Sequence, residues 1–224
     1  MLYSFYKNFD EFPNQIPLFP LNKVLLLPRT KLPLNLFENR YLHMLDYALA
    51  NGKIIGMIQS REKVLKDSNI KNPKLYEVGC AGQIIAFSET NDNRYELILK
   101  GTCRFRIRKE KKIINGFRTA DVNWNEFKSD LNTSKLPDRI KREEFEELLR
   151  TFLKKISINA DWEAVETTND EDLVNMISMC CPFDVIEKQA LLEAKTINDR
   201  FEILTSLMQM SLNENNIMGS GNIS

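Results

Sequence analysis

Pro17, Pro20 and Pro28 stand inside the apolar run IPLFPLNKVLLLP, Ile16 to Pro28. Proline has no backbone N–H to donate, and its ring collides with the preceding turn, so no helix runs through this stretch. Its Leu and Val content favours extended chain, at a sheet edge or in a barrel. A second extended segment, KLPLNLF, follows at once and contains Pro33. The chain is committed to β-structure from its beginning, and the next question is where that commitment ends.

The hydrophobic period answers it. Glu38 to Ala50 switches to helical spacing, with Tyr41, Leu42, Leu45, Ala48 and Leu49 on one face. Asn39 is placed to cap this helix, and Asn51-Gly52 to stop it. A strand, Lys53 to Gln59, and a polar loop, Ser60 to Lys74, come next. Leu75 to Thr90 reads as a long strand in which Gly79 and Gly82 mark a bulge or a close backbone crossing. Asn91 to Asn93 supply a turn. In RYELILKGTCRFRIRKE a period of two returns, with Gly101 breaking the run. Asn115-Gly116 turns the chain into a last strand.

Beyond about residue 130 the spacing is helical. Phe145, Leu148, Leu149, Phe152, Leu153 and Ile156 form one stripe on a helix expected over Asp138 to Ile156. Acids crowd its start and Lys154 and Lys155 its end, matching the helix dipole. Glu146 is spaced to pair with Arg150. Further helices are expected over Asp170 to Met179, over Asp184 to Ala194, and from Thr196 or Asn198 to near Met210. Asp184 and Glu187 have capping-box spacing. The expected organisation is a β subdomain over 1–130, a helical subdomain over 131–212 and a flexible tail over 213–224.

Composition narrows the function. With 224 residues the chain can bury a real core. Lys and Arg number 31 against 31 Asp and Glu, so no global field draws it to nucleic acid or membrane. Lys7, Asp10 and Glu11 interrupt the N-terminal region, and the longest apolar runs, such as Val24 to Leu27, are too short to cross a bilayer. A cytoplasmic location is expected. Cys80, Cys103, Cys180 and Cys181 form no C-x-x-C pair, and His43 is the sole histidine, so no metal site is expected. Cys180-Cys181 reads as thiols at a helix end. The phosphate loop, the dinucleotide fingerprint and the nucleophile elbow are all missing. His43 lies roughly opposite the Leu42, Leu45, Leu49 stripe and reads as a surface side chain, not a base. No catalytic residue and no cofactor are expected.

Arg104, Arg106 and Arg108 alternate with Cys103, Phe105 and Ile107, and Lys109, Lys111 and Lys112 extend the basic run. This reads as a solvent-facing strand blunted against edge pairing by its charges. Phe105 falls on the opposite face and is not placed to stack bases beside those arginines.

The segment IPLFPLNKVLLLPRTKLPLNLFENRYLHML is similar to the opening of the Lon protease N-terminal, substrate-recognition domain. The shared pattern is an apolar-Pro strand, a second LP strand, and an FE-x-RY entry into a helix. LYEVGCAGQI, RYELILKGTCRFRI and CPFDVIEKQALLE resemble later blocks in the same order, so the similarity runs from about Ile16 to Met210. It implies an α+β fold: a PUA-like β pseudo-barrel with one embedded helix, followed by a C-terminal α-helical bundle. It also implies a stand-alone, non-catalytic protein that binds polypeptide and lacks the ATPase and Ser-Lys peptidase modules. The implied partners are unfolded or client polypeptide and a separate protease or ATPase, with neither nucleic acid nor membrane expected.

An alternative reading is an RNA-binding PUA-like module using Arg104, Arg106 and Arg108, against which the neutral net charge argues. An unrecognised hydrolase ranks last. Binding is expected in a groove between barrel and helices, lined by the loops Lys23 to Lys31 and Ser60 to Lys74 and by exposed residues near Phe37. Arg29, Lys31, Arg61, Arg104, Arg106 and Arg108 are the candidate contacts. Gly79 and Gly101 are read as structural glycines. Pro33, Phe37, Glu38, Arg40 and Tyr41 fall at the family's corner, where Asn39 replaces a frequent proline. That corner is read as structural, with Glu38 capping or pairing locally and Arg40 tying helix to barrel. On this reading Glu38→Ala lowers thermal stability.

Overall fold

The structure, a computed structural model, describes residues 11–61, 73–90, 94–132 and 142–218, with side chains up to 213. The start of the chain, most of the loop expected after Ser60, the Asn91 to Asn93 turn, the beginning of the Asp138 helix and the end of the tail lie outside the described residues. The fold is mixed α+β, a six-stranded sheet with helices. It divides into two compact units, Met1–Thr133 with Pro182–Lys188, and Ser134–Cys181 with Gln189–Ser224.

The first unit holds β1 Gln15–Pro20, β2 Lys31–Leu36, α1 Asn39–Ala50, β3 Ile54–Ile58, β4 Val78–Glu89, β5 Tyr95–Glu110 and β6 Arg118–Asn123. The strand order is β2-β5-β4-β3-β1-β6, and β6 also pairs with β5, so the pairings from β5 through β4, β3, β1 and β6 close a cycle. Only β1 and β3 run parallel among these pairs. Pro17 sits in β1 opposite Thr119 of β6, and the pairing with β3 starts only at Leu18. Its missing N–H therefore withholds no bond from β3.

β5 organises the sheet. One of its edges is held by β4 along most of its length. The other is taken first by β2, opposite Tyr95 to Lys100, and then by β6, opposite Arg106 to Glu110. The handover occurs at Gly101, which donates to the Thr30 carbonyl and accepts from the Arg29 amide. The strand therefore continues through Gly101, where the sequence suggested a break. The backbone of Leu27 lies so close that a Cβ on Gly101 would stand 1.9 Å from its carbonyl oxygen. A Cβ on Gly79 would meet the Phe105 ring at 2.5 Å and the Met57 carbonyl at 2.6 Å. Phe105 is itself fully buried against Trp124, with ring centroids 5.9 Å apart.

α1 buries Tyr41, Met44, Leu45 and Ala48, while Leu42 and Leu49 of the expected face are half-buried. Glu38 holds the N-cap position, and Asn39 is the first helical residue, not the cap. The Glu38 side chain makes no capping bond because Arg40 takes its carboxylate, Nε to Oε2, at 2.8 Å. Asn115 and Gly116, at φ of 46° and 87°, make a two-residue hairpin whose flanking Ile114 and Phe117 exchange backbone bonds of 3.0 Å. After β6, a 3-10 segment, Asn125–Leu131, lays Phe127 into the core. No period in the sequence announces it. Its Asp130 receives both the backbone N–H and the guanidinium of Arg104, at 2.8–2.9 Å. Burial opposes the charge on Arg104, but the hydrogen bonds and charge of Asp130 more than offset this and raise its pKa.

The second unit is helical: α2 Arg142–Lys155, α3 Trp162–Thr167, α4 Asp170–Cys180 and α6 Ile197–Met218, with α5 Val185–Glu193 starting in the Pro182–Lys188 segment. α3 was not anticipated. α2 buries Phe145, Leu149, Phe152 and Leu153 and packs on α6, where the Phe145 and Phe201 rings lie 5.1 Å apart. Glu146 pairs with Arg142, not with Arg150, and Arg142 also reaches Asp170 and the carbonyls of Val165 and Thr168. One guanidinium thus collects the carbonyls left open where α3 ends. Asp184 and Glu187 form the expected capping box, at 2.7 and 2.8 Å. Thr196 and Asp199 form another. Cys180 ends α4 exposed and Cys181 is buried beside it, neither in a disulfide among the described residues.

These contacts rank the substitutions. Gly101→Ala should destabilise by about 3 kcal/mol or more, because backbone must move to admit the methyl. Asp130→Ala leaves Arg104 charged and buried, and should cost about 3–5 kcal/mol. Glu38→Ala, at an exposed pair with no capping bond, should change stability by less than about 1 kcal/mol, in contrast to the sequence expectation. Urea unfolding of the three variants measures all three differences.

Candidate functional site

The row of strand arginines does not survive folding. Arg104 is only 3% exposed and bound to Asp130. Arg106 is held by Glu126 and Glu77, at 2.8 and 3.0 Å. Arg108 alone of the three is exposed, beside Trp124 and Phe12. Parity placed Arg104 away from Phe105 correctly, but the 3-10 segment covers that face and supplies Glu126 and Asp130. A surface offering three cations in register to a nucleic acid is absent from the described residues, and the RNA reading falls with it. Arg29 is likewise engaged, donating to the carbonyls of Asp130 and Asn132, and Arg61 pairs with Glu77. Lys31 is exposed on β2. Of the Lys23 to Lys31 loop, Leu25, Leu26 and Leu27 are buried and face no groove.

The corner residues come together instead. Pro33, Phe37, Glu38, Arg40 and Tyr41 all line one concavity of about 570 Å³ within the first unit. This lies in the range of ligand clefts. Pro33 to Leu36 of β2 form one side, Phe19 to Asn22 at the end of β1 another, and the hairpin residues Gly116 to Arg118 a third. Phe19 and Tyr41 meet inside it with ring centroids 4.4 Å apart and planes tilted by 54°. Burial pushes the Tyr41 phenol above its ordinary pKa, so it stays neutral through the physiological range. Phe37 stands 64% exposed at the rim, with the Arg94 guanidinium 5.8 Å above its ring. The charges of the lining are already matched, Arg40 with Glu38 and Arg118 with Glu110.

β2 borders this concavity with its open edge. It is the terminal strand of the order, bonded only to β5 among the described strands, and no β5 residue lines the concavity. Gly101 points both its N–H and its carbonyl toward the Arg29–Thr30 backbone, while the Ile84 amide points away from β5 to Lys53. Stepping by two along the register, Leu32, Leu34 and Leu36 bond to β5. Lys31, Pro33 and Asn35 therefore present their backbone groups outward. On the other flank of β2 a second concavity, about 590 Å³, is lined by Pro33, Ala86, Phe87 and Ile98. The register sets Pro33, Ile98 and Ala86 side by side on one face.

Among the described residues no group of three or more His, Cys, Asp or Glu is placed to hold a metal ion. His43 is exposed, its Nδ1 3.2 Å from the Asn115 carbonyl. The Cys103 thiol is buried, and burial, aided by Asp130, drives its pKa up and keeps it protonated. No described helix is long and apolar enough to cross a membrane.

The chain is 23% identical over 205 residues to the Lon protease of Buchnera aphidicola subsp. Baizongia pistaciae, a match that covers 88% of this chain and 25% of that one. It is 23% identical over 208 residues to the Lon protease of Escherichia coli K12, with the same two coverages. The chain thus spans about a quarter of the length of these relatives. In fold it matches a Lon N-terminal domain protein from Xanthomonas campestris, at a TM-score of 0.56 and 23% identity over 86% of this chain and 97% of that one. It also matches the N-terminal domain of a Mycobacterium avium complex Lon protease, at 0.62 and 16% identity over 87% and 98%. The model of the family described as the ATP-dependent protease La (LON) substrate-binding domain covers residues 15–210, and the chain belongs to that family.

Proposed function

We propose that this protein recognises polypeptide without catalysing a reaction on it. An apolar stretch of an unfolded client chain lies in the concavity beside Phe37. A separate ATPase or protease acts on what is held, in a cytoplasmic setting. Residues 1–130 make a PUA-like pseudo-barrel with α1 embedded in it, and residues 131–212 make a helical bundle. The closed cycle of strand pairings and the packing of α2 on α6 support that description. The corner of Pro33, Phe37, Glu38, Arg40 and Tyr41 is the recognition surface, with Lys31 at its border.

The observation that carries this reading is Phe37. A large aromatic ring left 64% exposed forfeits the gain of burial unless a partner covers it. It stands at the rim of a cleft whose charges are internally matched, which suits an uncharged apolar chain better than a charged metabolite. Aromatic anchors of this kind concentrate binding energy. The family's own description, a substrate-binding domain, points the same way.

Immobilised protein should capture reduced, carboxymethylated α-lactalbumin, which stays unfolded, in preference to the native form. Phe37→Ala should weaken that capture by about tenfold or more while leaving the thermal midpoint within about 2 °C of the parent. Equal capture of folded and unfolded forms, or an unaffected variant, would sink the proposal.

A further inference from the structure

We infer that β2 holds its client by strand addition: an extended, uncharged segment pairs with the open edge at Lys31, Pro33 and Asn35. This rests on the polypeptide-binding reading and specifies how that binding occurs. The edge displays the amides of Lys31 and Asn35 and the carbonyls of Lys31, Pro33 and Asn35, with no strand opposite them among the described residues. Such a row of unpaired groups is a template for an added strand, because backbone bonds give affinity regardless of side-chain identity. Proline lies at an outward position, where its missing N–H costs the β2–β5 ladder nothing.

The occupant's character follows from its surroundings. A strand laid along β2 turns alternate side chains to opposite faces. One set would stand beside the apolar row of Pro33, Ile98 and Ala86. Ile98, 36% exposed, leaves apolar surface there to be covered. Arg40 and Arg118 are occupied by Glu38 and Glu110, so a charged segment would find no matching counter-charge in the cleft. The favoured client segment is therefore extended, uncharged and apolar at alternate positions. Such segments occur in the strands of unfolded proteins and are hidden in folded ones.

Two measurements on the full chain test this. The first uses a fluorescent ten-residue probe of alternating valine and serine, kept soluble by a terminal dilysine. N-methylating either the valine amides or the serine amides blocks one parity of backbone donors. One methylated set should bind at least about tenfold more weakly, and the other within about twofold of the parent probe. The second follows amide exchange by NMR while the probe, or unfolded α-lactalbumin, is added. The Lys31 and Asn35 amides should slow by about tenfold or more, while Leu32, Leu34 and Leu36 should already be protected in the free protein. Binding of either ligand without slowing at Lys31 and Asn35, or equal effects of the two methylated sets, overturns strand addition and leaves polypeptide binding standing. Concentration-dependent protection of the same amides in protein alone would show that a second copy fills the edge, and would also overturn it. Failure of both ligands to bind removes the polypeptide reading itself.

Discussion

The close passage of the Leu27 backbone over Gly101 governs the rest of the sheet. Leu27 to Thr30 cross β5 at the one residue that offers no side chain, and the Arg29 and Thr30 backbone bonds there. Before that crossing β5 is bonded to β2, and after it to β6. The change of partner lets the cycle of strands close while leaving β2 outside it. A closed sheet would hide every backbone edge, whereas this one closes and still leaves β2 unpaired on one side among the described strands. The feature that completes the core thus also creates the exposed element beside the Phe37 cleft.

Charge is handled differently in the two parts of the first unit. Where the 3-10 segment covers β5, an arginine is buried, and a carboxylate meets it with bonds to both backbone and side chain. Such a pair fixes geometry more than it adds stability. At the corner the Glu38–Arg40 pair lies in solvent and is worth little to folding. What it does is neutralise the cleft wall. The same residue types serve to lock the segment after β6 in one place and to leave a surface electrically quiet in the other.

Much of this was legible in the sequence. The prolines and the change of period near residue 130 separated β from α structure, and the Asp184/Glu187 spacing announced a helix start that the structure builds as written. The failures are equally specific. Parity put Arg104 on the face opposite Phe105, but it carries no information on what covers that face. The covering segment, Asn125 to Leu131, has no regular period to detect. Met44 joined the buried face and Leu42 and Leu49 moved to its margin because the exact centre of an apolar helix face is settled by what it packs against. The corner residues were visible as a cluster. Their concavity was not, because Phe19 to Asn22 and Gly116 to Arg118 reach it from distant parts of the chain. The open side of β2 depends on β6 having taken the rest of β5, which is a property of the topology alone.

Pro33 carries a consequence for how concentrated this protein can become. Fibrils grow when identical strands stack without limit, each amide bonding to the copy above or below. The ring at Pro33 removes one donor from the middle of a short row, so any such stack would be broken at its centre in every layer. The strand is a poor seed for its own polymerisation.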